Sequence, residues 1–136
     1  MTGKNKNNER MAILLFAHGS RVEEANDGVR DLARQVEAMG PYRHVRATFL
    51  ELAEPSLGAA IAEAAEAGFR RVIVIPYFLT MGLHMRRDLP SLVAPEKQKH
   101  PDLEIEVGQS LEGHPFMVSI ILERVRAVTK KTKAAR

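Results

Sequence analysis

Apolar residues run unbroken from Ala12 to Ala17 and stop at His18-Gly19-Ser20, the pattern of a strand buried on both faces of a parallel sheet. Beyond it Val22, Ala25, Val29, Leu32, Val36 and Met39 recur at three- and four-residue steps among charged residues until Gly40-Pro41. That spacing predicts an amphipathic helix with this stripe facing inward. Val45 to Leu50 reads as a second strand ending at Glu51, and Pro55 opens an alanine-rich helix that closes at Gly68. Val72-Ile73-Val74-Ile75, within Arg70 to Pro76, is the clearest buried strand. A loop from Tyr77 to Gly82 leads to a helical stretch over Leu83 to Lys99, expected to be irregular at Pro90 and Pro95 because proline cannot donate a helical hydrogen bond. Leu103 to Val107 alternates as a fourth strand. Pro115 to Val128 gives a last helix with Met117, Ile120, Ile121, Val125 and Val128 inward.

Four strands alternating with four helices predict an α/β fold: a doubly wound, four-stranded parallel sheet with helices on both faces and right-handed crossovers. In such sheets ligands bind beyond the carboxyl ends of the strands, near the reversal of strand order. The segments to inspect are therefore His18 to Arg21, Glu51, Tyr77 to His84 and Ser110 to His114.

The length of 136 residues fits one domain, expected over residues 11–128 between a disordered tail at 1–10 and a basic tail at 129–136. With no cysteine, a metal must rest on imidazole, carboxylate or backbone oxygen. No apolar run approaches the ~20 residues that span a bilayer, and the first ten residues lack the apolar middle of a signal peptide, so a cytoplasmic protein with no membrane partner is expected. The net charge of +3 is concentrated at the ends: residues 1–10 carry +2 and residues 129–136 carry +4, leaving −3 on the body. Basic tails beside a mildly acidic body, with few aromatics for base stacking, argue against a nucleic-acid partner.

Three of the five histidines, His18, His84 and His114, fall after strands, whereas His44 and His100 precede them and belong on the opposite edge. Imidazole binds most divalent first-row ions, and Glu51 could add an oxygen ligand or accept a proton. By spacing alone, a His/His/Glu metal cluster and ordinary loop hydrogen bonding both remain open. Gly19 suits a tight strand-to-helix turn, and Ser20 is placed either to cap the first helix or to touch substrate. Arg21, Arg86 and Arg87 could grip carboxylates, or, for the last two, pair with Asp88 and Glu96. Leu79, Met81 and Leu83 could form an apolar platform or pack in the core. Several classes drop out. There is no GxxxxGK[ST] P-loop and no GxGxxG after the first strand. Ala17 stands where phosphohistidine enzymes carry arginine, and Pro76-Tyr77 where a phospho-acceptor domain needs aspartate.

The segments LLFAHGSR, ATFLELAEPSL, VIVIPYFLTMGLHMRRDLP and SLEGHP, in this order, resemble the small single-domain sirohydrochlorin chelatases, the CbiX-type cobaltochelatases and their iron- and nickel-inserting relatives. The resemblance runs from about Ile13 to Arg124. It implies a chelatase-type sheet, a homodimer, and metal-binding histidines at His18 and His84, with Glu51 and His114 at matching motif positions. Asp88 is expected to cap the helix that follows His84. The mechanism implied has His18 and His84 holding hydrated Co²⁺, Fe²⁺ or Ni²⁺ while sirohydrochlorin nitrogens replace its water, with no permanent cofactor. The rival from another class is a non-catalytic metal or tetrapyrrole carrier.

Overall fold

The computed structural model describes residues 10–135, with side chains through Lys130. The elements run β1 (Met11–Ala17), α1 (Glu23–Met39), β2 (Val45–Phe49), α2 (Leu57–Glu66), β3 (Arg71–Pro76), α3 (Leu83–Lys99), β4 (Glu104–Val107) and α4 (Phe116–Ala135). All neighbouring strands are parallel, in the order β2-β1-β3-β4. The chain steps from β1 outward to β2, then crosses back past β1 to β3, so the order reverses between β1 and β3. The expected doubly wound α/β sheet is present, and its reversal point lies between the two strands that lead into His18 and His84.

Alternate residues of β1 serve two cores. Ala12, Leu14 and Phe16 face Leu57, Ala60, Ile61 and Ala64 of α2 and Leu89 and Val93 of α3. Ile13, Leu15 and Ala17 face Val29 and Ala33 of α1, with Val45, Ala47 and Phe49 of β2. Each large side chain fully removed from water on either face is worth about 1.5–3 kcal/mol. Helix α2 begins at Ser56, whose Oγ accepts the Ala59 N–H at 3.2 Å.

Several features depart from the sequence pattern. In α1 the buried stripe is Asn26, Val29 and Ala33, one position on from the expected Ala25 and Leu32, and Val22 and Met39 are exposed. In α3 the helix runs continuously through Pro90 and Pro95, both on its exposed side. The carbonyls of Arg86 and Ser91 that these prolines leave without a helical donor lie among exposed residues, where water can serve them. The cap of α3 is Gly82, with no side-chain hydrogen bond; Asp88 lies in the second turn, too far along to cap it. Finally, β3 is buried on one face only: Val72 and Val74 are fully covered, while Ile73 and Ile75 are partly open.

The last departure has its cause in α4. Of the residues expected to face inward only Met117 is half-buried: Ile120, Ile121, Val125 and Val128 are all exposed, as are Phe116, Val118 and Leu122. Among the described residues no helix other than α1 therefore covers the Ile73 and Ile75 side of the sheet. The helix also continues to Ala135, past the expected end at Val128. The tail expected at residues 1–10 lies outside the described residues except for Arg10.

Candidate functional site

The carboxyl edge of the sheet is built by continuing strand pairing into the loops. Beyond the Ala17–Phe49 register pair, the Leu50 N–H donates to Ala17 O and the Glu51 N–H to His18 O, at 2.9 and 3.1 Å. The Tyr77 N–H donates to Phe16 O at 2.7 Å on the other side of β1. Thus the segments after β1, β2 and β3 leave the sheet side by side.

Gly19 makes the closest of these approaches possible. Its φ is +95°, and a Cβ there would sit 1.8 Å from the Glu51 carbonyl oxygen. Only a residue without a side chain lets the His18 turn lie against the Glu51 backbone. The side chains then meet, with His18 Nε2 3.7 Å from Glu51 Oε1 and both more than half exposed. A proton on His18 Nδ1 would face the Gly19 carbonyl at 3.3 Å, leaving Nε2 as the lone-pair nitrogen toward Glu51. Two donors each about 2.1 Å from one metal stand about 3–3.5 Å apart, close to this separation. Leu52, next to Glu51, is held at φ +66°, a strained backbone state for a leucine that is concentrated at functional loops.

His84 is the second residue of α3 and is exposed on the segment that leaves β3. Among the described residues no three His, Asp or Glu side chains converge as a ready-made cage, so the His/His/Glu cluster is not preassembled; His18 and Glu51 are paired and His84 stands apart.

The remaining expected residues divide. Ser20 does not cap α1, whose N-cap is Val22; its Oγ instead accepts the Val22 N–H at 3.0 Å within the turn. Arg21 and Arg87 are exposed and make no ion pair with a described residue. Arg86 is tied down by its own chain, donating from Nε to Met81 O at 3.0 Å and from Nη2 to Glu112 at 2.6 Å. Leu79 and Leu83 are exposed, whereas Met81 is partly buried against the core. His114 accepts the Phe116 N–H at 3.1 Å and stacks edge-on against that ring, opening α4. His44 lies at the opposite edge, buried against Phe69.

The family model for CbiX matches residues 12–128. The chain belongs to the CbiX family. Among relatives, this CbiX chain is 29% identical over 136 residues to a sirohydrochlorin cobaltochelatase of Methanopyrus kandleri, covering 85% of this chain and 95% of that protein. It is 28% identical over 123 residues to a chloroplastic sirohydrochlorin ferrochelatase of Arabidopsis thaliana, covering 90% of this chain and 55% of that one. Among solved structures, a CbiX protein of cobalamin biosynthesis from Marinobacter aquaeolei superposes with a TM-score of 0.79 at 26% identity, over 89% of this chain and 98% of its own. No described helix of this CbiX chain is long and apolar enough to cross a membrane.

One residue at this edge escapes a reading of the sequence. Asn26 is 1% exposed, and its carboxamide is bonded to both the N–H and the C=O of Ser20. An asparagine in a first helical turn ordinarily reads as a solvated polar residue. The signal was its place in the stripe, four residues after Val22 and three before Val29.

Proposed function

We propose that this chain is a sirohydrochlorin chelatase that inserts a divalent metal, Co²⁺ foremost, into the tetrapyrrole in cobalamin or siroheme biosynthesis. What carries the reading is the origin of His18 and His84 on segments leaving adjacent strands at the reversal of strand order, with Glu51 3.7 Å from His18. On this reading His18 and His84 hold the hydrated metal as neutral imidazoles and leave the rest of its coordination sphere to water. An open site suits the task. Ring nitrogens must displace water stepwise, and a closed cage of protein ligands would retain the ion. Each entering metal displaces two pyrrole protons, and Glu51, exposed beside His18, accepts them and passes them to solvent. The carboxylate rim of the substrate meets Arg21 and Arg87, while the ring rests on Leu79 and Leu83. Arg86 acts on this reading through the loop it braces, and His114 through the start of α4.

The ferrochelatase among the relatives makes Fe²⁺ the second candidate, since imidazole and carboxylate suit either ion. The working form is a cytoplasmic homodimer, its dimeric state supported by the exposed apolar residues of α4 and the partly open face of β3.

The test is the absorbance change of sirohydrochlorin on adding Co²⁺, or Fe²⁺ under reducing conditions, with protein far below the substrate concentration. Catalytic turnover is expected for the wild type, and His84→Ala is expected to abolish it while keeping the wild-type circular dichroism, because His84 is exposed. A signal that stops at one equivalent of protein would make the chain a carrier. Full turnover by His84→Ala would remove that histidine from the mechanism.

A further inference from the structure

Between Gly19 and the start of α1 the turn that carries His18 is held within itself only by the Val22 N–H to Ser20 Oγ bond and by no backbone-to-backbone one, yet His18 must keep its relation to Glu51. Asn26 supplies the missing restraint. Its Oδ1 accepts the Ser20 N–H at 2.9 Å, and its Nδ2 donates to the Ser20 C=O at 2.8 Å. This pair of hydrogen bonds to one residue fixes the rotation of both peptide planes flanking Ser20, two residues from His18. The second Nδ2 proton goes to Glu23 Oε2 at 3.1 Å. Glu23 Oε1 in turn accepts from Arg30 Nη1 at 2.6 Å, and Arg30 Nη2 donates to the carbonyl of Glu54 at 2.8 Å. Arg30 also lies over the Phe49 ring, 5.1 Å from its centre, at the end of β2. The chain Ser20, Asn26, Glu23, Arg30, Glu54 therefore links the His18 loop to the loop that bears Glu51. The Glu23 carboxyl is held below its usual range by the Arg30 hydrogen bond and then by that of Asn26, so the middle of the chain is charged at neutral pH.

A purely packing role explains this poorly. Burying a carboxamide on an apolar helix face costs free energy unless its groups are bonded, and a leucine or alanine would fill the stripe at lower cost. We propose that Asn26 is a positioning residue for His18, setting the metal-binding geometry through the Ser20 backbone, with Glu23 and Arg30 extending the brace to the Glu51 loop. The proposal rests on the reading of His18 as a ligand of the metal substrate.

The experiment titrates Co²⁺ alone into the full chain and, separately, measures kcat and KM for sirohydrochlorin. It compares wild type with Asn26→Ala, Asn26→Asp, His18→Ala and the control Val36→Ala, a truncation farther along α1 and away from the site. Asn26→Ala is expected to weaken Co²⁺ binding and lower kcat about tenfold with KM within about twofold, while Val36→Ala loses thermal stability and changes neither. Asn26→Asp keeps the acceptor for the Ser20 N–H and is expected to fall between wild type and Asn26→Ala. If Asn26→Ala does not fold, Glu23→Ala at an exposed position cuts the same brace and is expected to lower kcat about threefold. Wild-type Co²⁺ affinity and kcat in Asn26→Ala, or in Glu23→Ala where that variant stands in, overturn the positioning role; if His18→Ala is impaired in the same series, the chelatase reading survives. Unimpaired His18→Ala overturns both.

Discussion

At the scale of single residues, the edge of the sheet depends on an absent side chain. A methyl group at Gly19 would fall 1.8 Å from Glu51 O in a backbone state of φ +95°, so Gly19→Ala must displace either the His18 turn or the Glu51 loop. The expected cost is about 3–5 kcal/mol, the range reached when backbone strain and a backbone clash coincide. Chemical denaturation would measure it, and a loss below about 1 kcal/mol would mean that the turn is freely deformable. His44 gives a prediction in pH. Burial pushes its imidazole below the usual range, Arg46 adds to this, and Glu63 and Glu37 oppose it. Its Nε2 has no hydrogen-bond partner among the described residues. The unfolded chain, with histidine near 6.5, therefore binds the proton more readily than the folded one. Stability from this group is complete above about pH 6.5 and is lost as pH falls through that value toward the lower folded one. His44→Phe should flatten the fall in melting temperature between pH 7 and pH 5; parallel curves for the two proteins would rule the group out. The sequence made the placement of His18, Glu51 and His84 on segments after strands legible through periodicity, whereas the metal reading of the two histidines rested on the resemblance of their motifs. It could not show that Arg86 is consumed by Met81 O and Glu112, since that pairing spans 26 residues and exists only once the loops after β3 and β4 are adjacent.

At the scale of elements, local pattern located all eight: an uninterrupted apolar run in β1, three- and four-residue spacing in α1, alanine content between Pro55 and Gly68 in α2, alternation in β4. What it missed were properties that a neighbour confers. The inward stripe of α1 is one position on from the expected residues because the helix is oriented by the Asn26 bonds to Ser20 as well as by apolar packing. In β3 the run Val72 to Ile75 reads as doubly buried, but coverage of its second face depends on a helix elsewhere. For α3, two prolines predicted irregularity, and the helix persists because their unbonded carbonyls lie on its exposed side while Leu89 and Val93 anchor the other. That anchoring is testable. Leu89 is 1% exposed, five residues after His84, and Leu89→Ala should cost about 2–5 kcal/mol by removing contacts and leaving a cavity. A denaturation midpoint within error of the wild type would show that α3 is held by other contacts.

At the scale of the whole molecule, the 20-residue α4 carries a row of exposed apolar side chains, and the sheet face where Ile73 and Ile75 emerge is only partly covered by α1. A single copy leaves both surfaces in water, against the general tendency of monomers to expose only small apolar patches. A second copy related by a two-fold axis would cover them twice over, since whatever α4 contributes to the partner it receives in return. The predicted state is therefore a dimer at micromolar concentration, with twice the 15.2 kDa chain mass in light scattering and a melting temperature that rises with protein concentration. Ile121→Glu and Val125→Glu place charge on the row where an isolated subunit would tolerate it, both positions being more than half exposed. In the dimer each buries an unpaired carboxylate, so both should shift the mass to one chain without unfolding the sheet. A wild type that scatters as a single chain over the whole micromolar range, with a melting temperature independent of concentration, would overturn the dimer and leave α4 either exposed or folded back over β3 of its own subunit. In the folded-back case Ile121→Glu would lower the stability of the monomer itself, and the two arrangements separate on that measurement.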